Sequence, residues 1–134
     1  MDKKSELSVI TKAKELCSYV LTVTEKSPKR FRFTLTGKLQ NYAINVIEML
    51  IKANEIYVYG SNRAVNVQLM QERVHLQREA MTNLKLLSYM AQLAMEQQCI
   101  LPKQYEQITR KVYDCQYLLG AWMKSDSNRF QRKS

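Results

Sequence analysis

The sequence predicts an all-α protein that folds as an antiparallel up-down-up-down four-helix bundle. Three Gly and two Pro in 134 residues are too few for the many turns of a β-sandwich or barrel. Four segments instead carry apolar residues at intervals of three or four, which is the period of one helix face. The connections between these segments are short, and short connections favour antiparallel neighbours.

The first helix is predicted over residues 5–24, with Ser5 as its N-cap. Pro28 disfavours a helical conformation at the residue before it and therefore separates the first helix from the second. The second helix is predicted to begin at a cap formed by Thr34 or Thr36 and to end near residue 57.

The second helix is apolar on more than one face, so it needs a cover on a side that the bundle core does not reach. A neighbouring subunit is the simplest cover for such a face. We therefore predict an oligomer interface on this helix, formed by Ile44, Ile47 and Ile51.

The third and fourth helices are predicted over residues 64–98 and 102–124. Pro102 suits the first position of a helix. The four-helix bundle is thus expected to span residues 1–124, and residues 125–134 are expected to form a basic polar tail. Gly120 lies inside the fourth helix, where glycine costs up to about 1 kcal/mol relative to alanine, so we expect it to mark a close approach of another helix.

The chain is strongly basic, because 21 Lys and Arg residues outnumber 12 Asp and Glu residues and give a net charge of +9. A compact domain with this charge attracts polyanions. The predicted topology collects many of the cations at the two ends of the bundle. The predicted nucleic-acid-binding residues are Lys29, Arg30, Arg32 and Lys38 near the start of the second helix, and Arg129, Arg132 and Lys133 in the tail.

Phe31 and Phe33 alternate with the cations of the first connection. Aromatic rings among cations can stack on exposed bases. For both phenylalanines, however, the preferred interpretation is that they turn inward as hydrophobic plugs at the end of the bundle.

The sequence supports no enzymatic function, and no catalytic residue, cofactor or metal site is predicted. His75 is the only histidine, and no cysteine pair has metal-ligand spacing. Cys17, Cys99 and Cys115 are far apart and fit buried thiols in a reducing compartment. The sequence contains neither a run of about 18 apolar residues nor a signal-peptide core, so we expect a cytoplasmic protein without membrane association.

Three segments resemble the Avd-like four-helix-bundle family, which includes the accessory variability proteins of diversity-generating retroelements. The first segment is residues 28–35 (PKRFRFTL) with residues 37–39 (GKL) following, and the second is residues 48–54 (EMLIKAN). The third is residues 118–125 (LLGAWMKS), in which Ala121 stands where a second glycine is common in the family. A more distant resemblance is to the ribosomal-RNA intervening-sequence four-helix bundle proteins.

The resemblance implies a homopentamer of basic four-helix bundles that binds RNA or DNA and has a reverse transcriptase as its partner. In that system the accessory protein supports mutagenic reverse transcription of a template RNA and does no chemistry itself. The alternative interpretation is a protein-interaction adaptor of a mobile element or RNA-associated complex, whose basic face docks an acidic protein partner.

Overall fold

The computed structural model describes residues 2–132, with side chains described from residue 8 to residue 131. This part of the chain contains no strand and four long helices, which confirms the all-α four-helix bundle. Each helix packs against the next along the chain, and the fourth also packs against the first, so the helices close into a four-membered bundle. The helices are α1 (Asp2–Val23), α2 (Gly37–Glu55), α3 (Arg63–Glu96) and α4 (Pro102–Arg132).

The core consists of the inward-facing apolar stripes that the helical period predicts. Leu16 of α1, Leu50 of α2, Leu84 of α3 and Leu119 of α4 are all fully buried. Complete burial of one such side chain contributes about 1.5–3 kcal/mol relative to exposure, so these stripes hold the helices together. In the chain from residue 2 to residue 132, no helix is long and apolar enough to cross a membrane.

The N-terminal boundaries of the first two helices differ from the sequence prediction. Helix α1 begins at Asp2, so Ser5 lies inside it and is not its N-cap. No glycine or proline precedes Ser5 to stop the helix there. Neither Thr34 nor Thr36 caps the second helix, because both already lie in helical turns and Thr36 makes no capping hydrogen bond.

The connection between α1 and α2 becomes helical directly after Pro28, whose φ of −56° and ψ of 138° are non-helical. A 3₁₀ turn (Lys29–Phe31) leads into a π turn (Arg32–Thr36), which runs into α2 without a break. A Cβ atom on Gly37 would lie only 2.6 Å from the backbone oxygen of Arg32. The wide π turn therefore requires glycine at position 37.

Gly120, unlike Gly37, has room for a side chain. A Cβ atom built on this glycine would meet no heavy atom within 4 Å. The prediction that another helix closely approaches Gly120 is therefore wrong.

Helix α4 continues through the segment that was expected to be a polar tail, and its last described residue is Arg132. The reason is Asp126, whose side chain is 0% exposed. Its carboxylate accepts hydrogen bonds from Arg73 Nε at 2.7 Å and from Arg73 Nη2 at 3.0 Å. Gln77 Nε2 donates to the same carboxylate at 2.9 Å, and Arg129 Nη2 donates at 3.1 Å.

These four residues, Arg73, Gln77, Asp126 and Arg129, form a buried polar cluster that joins three parts of the fold. Arg73 Nη1 donates to the backbone oxygen of Ile56 at 2.9 Å, which ties the connection after α2 to helix α3. A buried ion pair is tolerated when further hydrogen bonds satisfy its polar atoms, as they do on both sides of this pair.

Removal of the Asp126 carboxylate should lower the free energy of unfolding by about 3–5 kcal/mol, because the buried charge of Arg73 would lose its carboxylate partner. Denaturant unfolding of Asp126→Ala at a fixed protein concentration measures this loss. A chain that ends at Lys124 should lose at least as much, whereas a chain that ends at Gln131 should keep its stability. If the chain that ends at Lys124 unfolds at the same denaturant concentration as the full chain, then Asp126 does not stabilise the fold.

The two helical glycines should respond in opposite directions to the same substitution. Gly37→Ala should lower the free energy of unfolding by about 1–3 kcal/mol, because the added methyl group collides with the Arg32 carbonyl. Gly120→Ala should raise it by up to about 1 kcal/mol, because alanine is the better helix former and has room there. Thermal unfolding of both variants is the measurement, and a stabilised Gly37→Ala variant would contradict the close approach.

Candidate nucleic-acid interface

The connections after α1 and after α3 meet at one end of the bundle. The hydroxyl of Ser27 donates to the backbone oxygen of Cys99 at 3.0 Å. The Gln40 side chain of α2 donates to the hydroxyl of Thr24 at 3.0 Å and fixes the end of α1. These bonds anchor the segment that carries the nucleic-acid-binding residues predicted near the start of the second helix. We call four cations at this end the basic end: Lys29, Arg30, Arg32 and Lys38.

The side chains of all four residues of the basic end are exposed. Within the part of the chain that the structure describes, none of them takes part in an ion pair. The guanidinium of Arg30 lies 4.6 Å from the centre of the Phe31 ring, and Lys38 Nζ lies 5.9 Å from that of Tyr42. Cation–π contacts orient these side chains but leave their charges without a carboxylate partner, so the charges are available to an anion.

The two phenylalanines of the connection lie in different environments. Phe31 is half-buried and packs against the hydrophobic core, as predicted. The side chain of Phe33 is 88% exposed, so the prediction that it turns inward is wrong. The reason is that the segment is helical: two residues along a helix correspond to a rotation of about 200°, which places the second ring on the opposite side.

Arg129, one of the three cations predicted near the C-terminus, does not join the basic end. Arg129 has a side chain that is 28% exposed, and it pairs with the carboxylate of Asp126. Its guanidinium also lies 4.7 Å from the centre of the Tyr59 ring. The structure therefore places Arg129 in the buried polar cluster, at the opposite end of the bundle. The side chain of Arg132 and the whole of Lys133 lie outside the described residues.

The predicted oligomer face on α2 is partly exposed in the single chain. Ile44 is 40% exposed and Ile51 is 44% exposed, whereas Ile47 is half-buried and packs against the core. Three further large side chains that the sequence analysis did not single out are about two-thirds exposed on α3 and α4: Tyr89, Tyr113 and Tyr117. Their positions outside the apolar stripes of these helices are the signal that could have identified them.

The three cysteines are buried, and burial raises the pKa of each thiol. For Cys115 the pKa rises to about 12. At Cys99 the positive charge of Arg30 offsets part of the rise, because the basic end lies beside the connection after α3. The thiols therefore stay protonated at neutral pH. Among the described residues, no group of three or more His, Cys, Asp or Glu side chains is placed to hold a metal ion.

The chain matches no protein-family model and no curated protein. Among solved structures, it is similar to a protein of unknown function from the S23 ribosomal protein family of Bacteroides thetaiotaomicron. The TM-score is 0.68 at 15% sequence identity, and the alignment covers 90% of this chain and 98% of that chain. A likeness at this identity shows the four-helix-bundle fold that the two proteins share.

Proposed function

We propose that this chain is a non-enzymatic nucleic-acid-binding protein that contacts phosphates through its basic end. The observation that carries the proposal is a group of four exposed cations at one end of the bundle, none of them paired with a carboxylate in the described chain. Exposed Lys and Arg side chains bind phosphates without reading sequence, so the binding is sequence-tolerant and strongly dependent on salt.

The backbone of the basic end supports this role. Lys29, Arg30 and Arg32 lie in consecutive helical turns, and Lys38 lies in the first turn of α2. A segment that is already ordered loses less conformational entropy on binding than a flexible loop does. The phosphate contacts therefore retain more of their interaction energy as affinity.

We extend the proposal to a homo-oligomer that assists a reverse transcriptase. The exposed parts of Ile44 and Ile51 are suited to burial against a second subunit. Several subunits would present several basic ends to one nucleic acid, which would increase the avidity of the oligomer for that nucleic acid. The resemblance of residues 28–35 with 37–39, of residues 48–54 and of residues 118–125 to the accessory variability proteins supports a pentamer that acts on RNA or DNA during mutagenic reverse transcription.

The second candidate function is a protein-interaction adaptor with an acidic partner. The exposed aromatic side chains of Tyr89, Tyr113 and Tyr117 favour this candidate, because tyrosine is enriched at protein interfaces. Co-purification after nuclease treatment distinguishes the two functions. A partner protein that survives digestion supports the adaptor, and loss of all bound material supports nucleic-acid binding.

Reversal of two charges at the basic end should weaken binding of labelled single-stranded RNA by at least about tenfold at about 50 mM salt, because two phosphate contacts become repulsive. Fluorescence anisotropy of the double variant Arg30→Glu/Arg32→Glu measures the change. Circular dichroism should show an unchanged helix content.

The matched control is the double variant Arg78→Glu/Lys85→Glu, which changes two exposed cations in the middle of α3. Each double variant replaces two positive by two negative charges, so the net charge falls by 4, from +9 to +5, in both. The control should bind more tightly than Arg30→Glu/Arg32→Glu. Equal losses in the two variants would mean that affinity follows net charge, and unchanged affinity in Arg30→Glu/Arg32→Glu would remove the basic end from the interface.

A further inference from the structure

We infer that the basic end selects unpaired nucleotides, and that Phe33 is a platform on which one base stacks. This inference rests on the proposed nucleic-acid function and adds the class of substrate. Its starting point is the exposure of Phe33, which at 88% is the most exposed of the large apolar side chains in the described chain. Contact with an apolar partner lowers the free energy of a phenylalanine ring that is exposed to water, because the ring has no polar group of its own.

The backbone conformation of the connection fixes the position of Phe33. Phe31, two residues earlier, packs against the core and holds the segment to the bundle. The π turn (Arg32–Thr36) then carries Phe33 on its outer side, and the turn depends on the close approach of Gly37 to the Arg32 carbonyl. The ring is therefore presented by an anchored helical turn.

The surroundings of Phe33 leave its ring uncovered. Within the described chain the guanidinium of Arg30 stacks on Phe31, and no cation or ring contacts Phe33. Gly37, about one turn further on, has no side chain that could lie over the ring. Lys29 lies four residues before Phe33, which is about one helical turn, and Lys38 lies five residues after it, which is about one turn across the wider π segment.

This arrangement combines the two features that recognise a single strand. A base that is not paired can stack on an aromatic ring, and every base has a suitable face, so stacking is sequence-tolerant. The phosphates on either side of that base can meet Lys29 and Lys38. In a duplex the bases are stacked on one another, so a duplex can use the cations but not the ring of Phe33.

The test compares Phe33→Ala with the unmodified chain on labelled single-stranded RNA and on a duplex of the same length, by fluorescence anisotropy at one salt concentration. Loss of one stacked base should weaken single-strand binding by about 5- to 100-fold. Duplex binding should change by less than about twofold, and the salt dependence of single-strand binding should be unchanged, because no charge is removed. Phe33→Tyr should retain the affinity for the single strand.

Two further variants make the outcome specific to this ring. Tyr117→Ala removes an aromatic ring that is 69% exposed on α4, and it should leave single-strand binding unchanged. Phe33→Trp introduces an exposed indole, whose emission lies at longer wavelength than that of the buried Trp122. Stacking of a base should quench this emission on addition of single-stranded RNA but not on addition of the duplex.

Several results would overturn the inference. Unchanged single-strand affinity of Phe33→Ala, or equal losses on single strand and duplex, would show that no base stacks on the ring. A changed oligomer mass in light scattering with unchanged affinity would assign Phe33 to a contact between copies of the chain. If Arg30→Glu/Arg32→Glu also binds both ligands normally, then the proposed function fails as well.

Discussion

The buried pairing of Arg73 with Asp126 joins helices α3 and α4 at the end of the bundle opposite the basic end. At that end one carboxylate accepts hydrogen bonds from two arginines and one glutamine, so Arg73 and Arg129 are paired within the fold. At the other end four cations remain exposed and have no carboxylate partner among the described residues. The proposed function therefore rests on the four exposed cations of the basic end, which supply part of the net charge of +9.

The shape of the basic end depends on backbone geometry and not on ion pairs between side chains. Pro28 is the last non-helical residue before the connection becomes helical, Phe31 anchors the first turn on the core, and Gly37 permits the wide turn that leads into α2. Single-turn π segments are rare in helices and occur frequently at functional sites. Here the turn separates an inward ring from an outward ring, and this separation gives the basic end both its anchor and its proposed stacking surface.

The helical period predicted the four helices because apolar burial dominates their packing, and it predicted the core for the same reason. It did not predict the end of α4, because hydropathy treats Asp126 as a surface residue. The signal was nevertheless present: Asp126 continues the stripe of Cys115, Leu119 and Trp122 at helical spacing, and Arg73 and Gln77 interrupt the stripe of α3 in the same way. The prediction for Phe33 is wrong because its segment is helical and not an irregular break. The prediction for Gly120 is wrong because the low helix propensity of glycine does not by itself require a close packing partner.

The central claim, that exposed cations of the basic end bind phosphates, is tested most directly by the salt dependence of the affinity of the unmodified chain for labelled single-stranded RNA. Four phosphate contacts on a single strand predict a slope of about −3 for the logarithm of the association constant against that of the salt concentration. Affinity should therefore fall by about 50-fold between about 50 and 200 mM salt. A slope near zero, or no binding at the lower salt concentration, would contradict the claim.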